Sequence, residues 1–178
     1  MKLPVKEIFP MKLAVVVLLA ALAGCSSRAP AATAPHLHAQ TLNDLAPLPL
    51  PYDEQANAKA AVAAAEAKAK ASSKLLLIDY GGNWCLDCRV LAGVMEQPEM
   101  RPFMQRHYEV VKVDSGRFDK NTDIPAHYGF QKVGGVPAVF IVDPKSDRLV
   151  NRNSVIALAD ARSMTPQGIA DWLAQWVK

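Results

Sequence analysis

Two cysteines placed where a strand hands over to a helix constrain this chain most. Cys85 and Cys88 stand three positions apart in Trp84-Cys85-Leu86-Asp87-Cys88. Ahead of them, Leu75-Leu76-Leu77-Ile78-Asp79-Tyr80 is a short apolar run of the kind that forms a buried strand, and Gly81-Gly82-Asn83 breaks it. Behind them, Val90, Leu91, Val94 and Met95 return at helical spacing. Helical spacing brings the two sulfurs close enough to bridge. At the first turn, Cys85 meets unsatisfied N–H groups and the positive end of the helix dipole, which stabilise its thiolate. Cys88, one turn inward, is shielded and placed to attack a mixed disulfide formed at Cys85.

The rest of the chain supplies a frame for that junction. Residues 53–73 hold 10 alanines in 21 positions and no Gly or Pro, which predicts a helix of about five turns capped by Asp53. Pro98 and Pro102 interrupt or restart the helix that begins near Cys88. Val110–Val113 and Ala138–Val142 read as strands, and a turn at residues 143–147 leads to a partner strand near Leu149. Thr165 and Pro166 open a last helix with Ile169, Trp172, Leu173, Trp176 and Val177 on one face. This order predicts an α/β fold, a mixed sheet covered by helices.

A lone Cys-x-x-Cys is also half of a zinc site, which needs two more ligands. Cys25 is the one other cysteine, and His107 and His127 lie 20 residues apart without paired ligand spacing, so no metal is expected. A purely structural bridge across so small a loop would stabilise little. Together, LLIDYGGNWCLDC and, far downstream, GGVPAVFIV resemble the thioredoxin superfamily over residues 74–178, with residues 53–73 a looser match. The resemblance implies a central mixed β-sheet flanked by helices. It makes Cys85 the exposed nucleophile, Cys88 the resolving cysteine and Asp79 the buried acid that helps deprotonate it. It also makes Pro137 a cis-proline beside the disulfide, Val136 the backbone offered to an incoming peptide, and Trp84 an aromatic bordering the site.

Departures from thioredoxin itself matter. Leu86-Asp87 replaces Gly-Pro, and the Asp87 charge should oppose thiolate formation, with Arg89 available to offset it. Simple alignment puts Val110 where a lysine partners the buried acid, and Lys112 lies two residues along on the same strand face. The stretches at 115–122, 131–134 and 151–164 look longer than in a minimal thioredoxin, and such loops set partner choice.

The front end reads as an address. Basic Lys2, Lys6 and Lys12 precede an apolar run of 11 residues, Leu13–Ala23, too short to span a bilayer as a mature helix. Leu22-Ala23-Gly24-Cys25 resembles the bacterial lipobox, with Cys25 the lipidated first residue of the mature protein. In that resemblance Ser26 favours the outer membrane, and the domain faces the periplasm, where disulfides form. Translation from Met1 or from Met11 fits equally well. Removing residues 1–24 takes away three lysines and one acid, which moves the net charge from +3 to about +1. The charge therefore gives no argument for nucleic-acid binding.

The domain division expected is a signal peptide at 1–24, a lipidated N-terminus and Pro/Ala-rich tether at 25–51, and a thioredoxin-like domain at 52–178. Pro30, Pro35, Pro47, Pro49 and Pro51 forbid regular helix in the tether. His36 and His38 form a His-x-His too small to hold a metal alone. The function expected is thiol–disulfide exchange on cysteine-containing periplasmic proteins, reductive or isomerising in direction because of Asp87. A membrane thiol electron donor would reset the couple, and no cofactor beyond the Cys85–Cys88 disulfide is implied, since no nicotinamide or flavin fingerprint occurs. The competing reading is a binding module or metal chaperone on the same fold.

Overall fold

The computed structural model describes Met1, residues 32–45 and residues 47–178. The lipobox and Cys25 lie outside the described residues.

Strand β1 (Leu75–Gly81) runs through the middle of a four-stranded sheet of order β2-β1-β3-β4. It pairs in parallel with β2 (Tyr108–Asp114) and antiparallel with β3 (Ala138–Asp143), and β3 pairs antiparallel with the two-residue β4 (Arg148–Leu149). With neighbours on both edges and helices on both faces, β1 is buried from Leu76 onward, which is why it reads as an unbroken apolar run. Alternation divides the core. Leu77, Val139 and Ile141 face one layer; Leu76, Ile78, Phe140 and Val142 face the other.

Helix α1 (Ala58–Ser72) covers the second layer, burying Ala58, Ala65 and Ala69 with no bulk to hold it off the sheet. Its N-cap is Asn57, whose side chain accepts from the Ala60 N–H at 3.1 Å, and not Asp53. The Asp53 carboxylate closes a separate turn by accepting from the Gln55 N–H, so the helix starts four residues later than a cap at Asp53 predicts. The first layer is built from α2 (Leu86–Met95), α3 (Met100–His107) and α5 (Pro166–Ala174). Pro98 falls between α2 and α3, and Pro102 sits in the first turn of α3, where a missing N–H costs least. Thr165 caps α5 by accepting from the Gly168 N–H at 3.0 Å. The helix stops at Ala174, so Trp176 and Val177 lie beyond it, although Val177 remains buried. A short helix α4 (Asp123–His127) lies between β2 and β3.

The segment expected to be a free tether is not free where it is described. Leu37 and Ala39 are buried while His36, His38 and Gln40 are exposed, the alternation of an extended chain lying on a surface. Leu45, in a 3-10 turn at Leu42–Leu45, is also buried. The Ala32 N–H donates to the Val177 carbonyl at 2.8 Å, and the Leu37 N–H donates to the Gln167 side chain at 2.9 Å. The physical reason is that α2, α3 and α5 leave an apolar seam between them, which the Leu37, Ala39 and Leu45 side chains fill. Prolines exclude helix but do not prevent extended docking.

Candidate active site

Cys85 is the N-cap of α2, with extended backbone, and the Cys88 N–H points at its sulfur at 3.1 Å. The two cysteines are disulfide-bonded, with Cα atoms 5.3 Å apart. The Cys85 sulfur is thus seated among the unpaired amides of a helix start, as the spacing predicts. Both cysteines are shielded, but Cys85 retains a little exposure at 5% and Cys88 has none. The Val136–Pro137 bond is cis, and the Val136 carbonyl oxygen lies 3.4 Å from the Cys85 sulfur. Strand β3 begins directly after Pro137, so the sheet itself fixes this loop against the disulfide.

Asp79 is fully buried near the C-terminal end of β1. Burial pushes its carboxyl up to about 6, against the downward pull of a hydrogen bond from Tyr52 and of the Lys112 charge. The strand register settles which β2 residue faces it: Lys112 lies opposite Asp79, and Val110 opposite Leu77. The alignment that placed Val110 beside Asp79 is therefore off by two residues. The Lys112 ammonium is 3.8 Å from Glu96, and the hydrogen bond to Asp79 comes instead from the Tyr52 hydroxyl at 2.8 Å. Tyr52 is held in turn by Asn83, whose side chain accepts from the Tyr52 N–H at 3.0 Å and donates to its carbonyl at 2.8 Å. Gly81 is required where these groups meet. A Cβ there would collide with the Tyr52 hydroxyl and lie 2.8 Å from the Cys88 sulfur.

Asp87 is buried, and its partner is not Arg89. One carboxylate oxygen accepts from both the backbone N–H and the Nε of Arg162, at 2.9 and 3.0 Å. Arg89 turns the other way and donates to the carbonyls of Pro49 and Leu48, pinning the N-terminal segment to α2. Trp84 is 42% exposed, and its indole N–H donates to the Gly116 carbonyl at 2.7 Å. The Arg117 guanidinium sits 4.4 Å from the Trp84 ring centre, and Phe118 meets the ring edge-on. Leu86 and Phe118 are similarly exposed, so apolar surface borders the disulfide.

The sequence reading placed Asp79, Trp84, Cys85, Cys88, Val136 and Pro137 as candidates, and the fold gathers all six around one point. It missed Tyr52, Asn83 and Arg162. Asn83 adjoins the cysteine motif and offered a local hint. Tyr52 and Arg162 lie 27 and 75 residues from the groups they bind, and no spacing rule reaches them. Among the described residues no group of three or more His, Cys, Asp or Glu could hold a metal. His36 and His38 lie on the docked segment away from the disulfide, and His38 pairs with Glu99.

The arrangement performs thiol–disulfide exchange. Such a bridged pair exchanges with other thiols and disulfides through a mixed disulfide. Comparison with known proteins agrees. Residues 57–144 match the family model described as thioredoxin-like. The disulphide isomerase from Xylella fastidiosa Temecula1 is 39% identical, with 71% of this chain and 96% of that one covered and a TM-score of 0.65. A protein of unknown function from Pseudomonas aeruginosa matches at 18% identity over 68% of this chain and 80% of that one, with a TM-score of 0.32. With the bridged cysteine pair at the start of α2, the sheet order and the first of these relatives in agreement, the chain belongs to the thioredoxin-like family and is a thiol–disulfide oxidoreductase acting on cysteine-containing proteins.

Proposed function

We propose that this oxidoreductase works in the periplasm, tethered to the outer membrane through lipid on Cys25, and that it isomerises or reduces protein disulfides rather than introducing them. The observation that carries the direction is Asp87. Its buried carboxylate sits in the first turn of the helix that bears both sulfurs, and the charge, only partly offset by the half-exposed Arg162, opposes the thiolate that a strong oxidant must stabilise. The Xylella relative bears the name of an isomerase, which supports the same direction. Cys85 attacks a substrate disulfide, Cys88 resolves the mixed disulfide, and Asp79 takes the Cys88 proton. An extended substrate lies along the Val136 backbone, against the apolar rim of Trp84, Leu86 and Phe118. A membrane thiol donor returns the couple to its reduced form. The lipobox supports the address, and Ser26 the outer membrane.

The purified full chain should reactivate scrambled ribonuclease and reduce insulin, and Cys85→Ser should abolish both. Activity retained by that variant would sink the mechanism. Efficient oxidation of a reduced unfolded protein without reactivation of the scrambled one would reverse the direction. Radiolabelled palmitate incorporated by the wild type and lost in Cys25→Ala would support the anchor.

A further inference from the structure

The hydrogen bond on Asp79 comes from outside the part of the chain that matches the family model, which begins at residue 57. Tyr52 is 3% exposed, and its hydroxyl is 2.8 Å from one oxygen of Asp79. The other oxygen of Asp79 is buried without a hydrogen-bond partner among the described residues. An unpaired buried carboxylate oxygen is costly unless it has work to do. The Tyr52 hydroxyl and the Cys88 sulfur crowd the same face of Gly81. Tyr52 is fixed through both of its backbone polar groups by Asn83, two residues before Cys85. The segment before Tyr52 is fixed by Arg89, one residue after Cys88. The two anchors thus straddle the cysteine pair itself.

We infer that Tyr52 is a positioning residue for the resolving half of the cycle: it binds one oxygen of Asp79, keeps that carboxylate ionised, and leaves the other oxygen free to take the Cys88 proton. The inference rests on the base role of Asp79 given above. In the step, the Cys88 thiol gives its proton to Asp79 and its sulfur attacks the Cys85 sulfur. The Cys85–Cys88 bond forms, the bond from Cys85 to the substrate breaks, and the substrate leaves as a thiolate. Tyr52 keeps its own proton throughout, because burial and the neighbouring carboxylate hold its phenol far above the ordinary range. The groups acting on Asp79 are Tyr52 from the N-terminal segment and Lys112 from β2, with apolar Val139 opposite on β3, and the Cys88 sulfur from α2 shares the Gly81 face with the Tyr52 hydroxyl. Lys112 is directed at Glu96, so Tyr52 is the hydrogen-bonding one of these groups.

The test uses the full chain with Cys85 carried as a mixed disulfide with 2-nitro-5-thiobenzoate, whose release reports resolution by Cys88 as a function of pH. A hydrogen bond to the charged form lowers a carboxyl pKa, so its loss raises it. Tyr52→Phe should move the acid limb of the rate upward by about one pH unit, about fivefold slower near pH 6 and roughly tenfold slower below about pH 5, with the rates converging above about pH 8. Asp79→Asn should remove the limb, and Tyr52→Phe added to Asp79→Asn should change nothing further. If Tyr52→Phe does not fold, Asn83→Ala, which loosens Tyr52 but keeps its hydroxyl, should move the limb in the same direction. An unmoved limb in the folded Tyr52→Phe or Asn83→Ala variant, beside a lost limb in Asp79→Asn, overturns the role of Tyr52 alone. A wild-type limb in Asp79→Asn overturns the base role of Asp79, and this inference with it.

Discussion

Asp79 carries a cost that its neighbours only partly relieve. Its folded pKa is raised from 3.8 to about 6, so the native state holds this proton more tightly than the unfolded chain does. Below about pH 4 both states are protonated and the group is neutral to stability. Between about pH 4 and 6 the unfolded chain gives up this proton while the native chain keeps it, so stability falls by a few kcal/mol across that window and levels off above it, an order-of-magnitude figure. Asp79→Asn should therefore stabilise the protein at pH 7 while slowing resolution. Urea unfolding at pH 4 and pH 7 checks it, and the gain should shrink toward zero at the lower value. Stability given up at a buried acid is expected where that acid has chemistry to do.

Between elements, the pairing of α2 with the turn at Ala161–Ser163 sets the charge at the disulfide. Arg162 offsets Asp87, so Arg162→Ala should leave the carboxylate uncompensated. The thiolate should lose stability relative to the disulfide, and the couple should become more reducing. Equilibration with glutathione buffers measures the potential, and Asp87→Asn should shift it the opposite way. An unchanged potential in both would show that this charge does not govern the couple. The elements differ in how far the sequence reveals them. β1, β2 and β3 are apolar runs because they are buried, and α5 announces itself through Thr165 and Pro166. The start of α1 was not readable, since alanines favour helix equally along 53–73 and one asparagine side chain decides the boundary. The docked segment was not readable either. Its prolines exclude helix, but whether Leu37 finds a seam depends on α2, α3 and α5, which no local pattern describes. The same holds at the site. The cysteines, Asp79 and Pro137 are motif residues, whereas Tyr52 and Arg162 arrive through tertiary contacts.

For the whole molecule, the docked segment changes what residues 25–51 do. A free tether could be cut away without consequence to the domain. Deleting residues 32–51 should instead lower the stability of the protein by at least about 3 kcal/mol, because Leu37, Ala39 and Leu45 leave the core together. Chemical denaturation of the deleted and full chains decides it, and equal midpoints would restore the tether. In the lipidated form proposed above, six residues, 26–31, separate Cys25 from the docked segment, a span of at most about 20 Å. Ala32 meets the domain at Val177, which lines a cavity with Leu75 at the start of β1. The disulfide lies past the other end of that strand, beside Gly81. The disulfide and the docking of Ala32 thus lie toward opposite ends of β1.

The bond from Ala32 to Val177 joins nearly the first described residue to nearly the last. The ribosome makes the seam-filling segment long before it makes α5, so Leu37 has no finished groove to enter until the final helix exists. Native closure is then a late event, after the chain is complete. Until α5 packs, the seam that Leu37 fills is incomplete, and the cysteine pair sits in an unfinished fold.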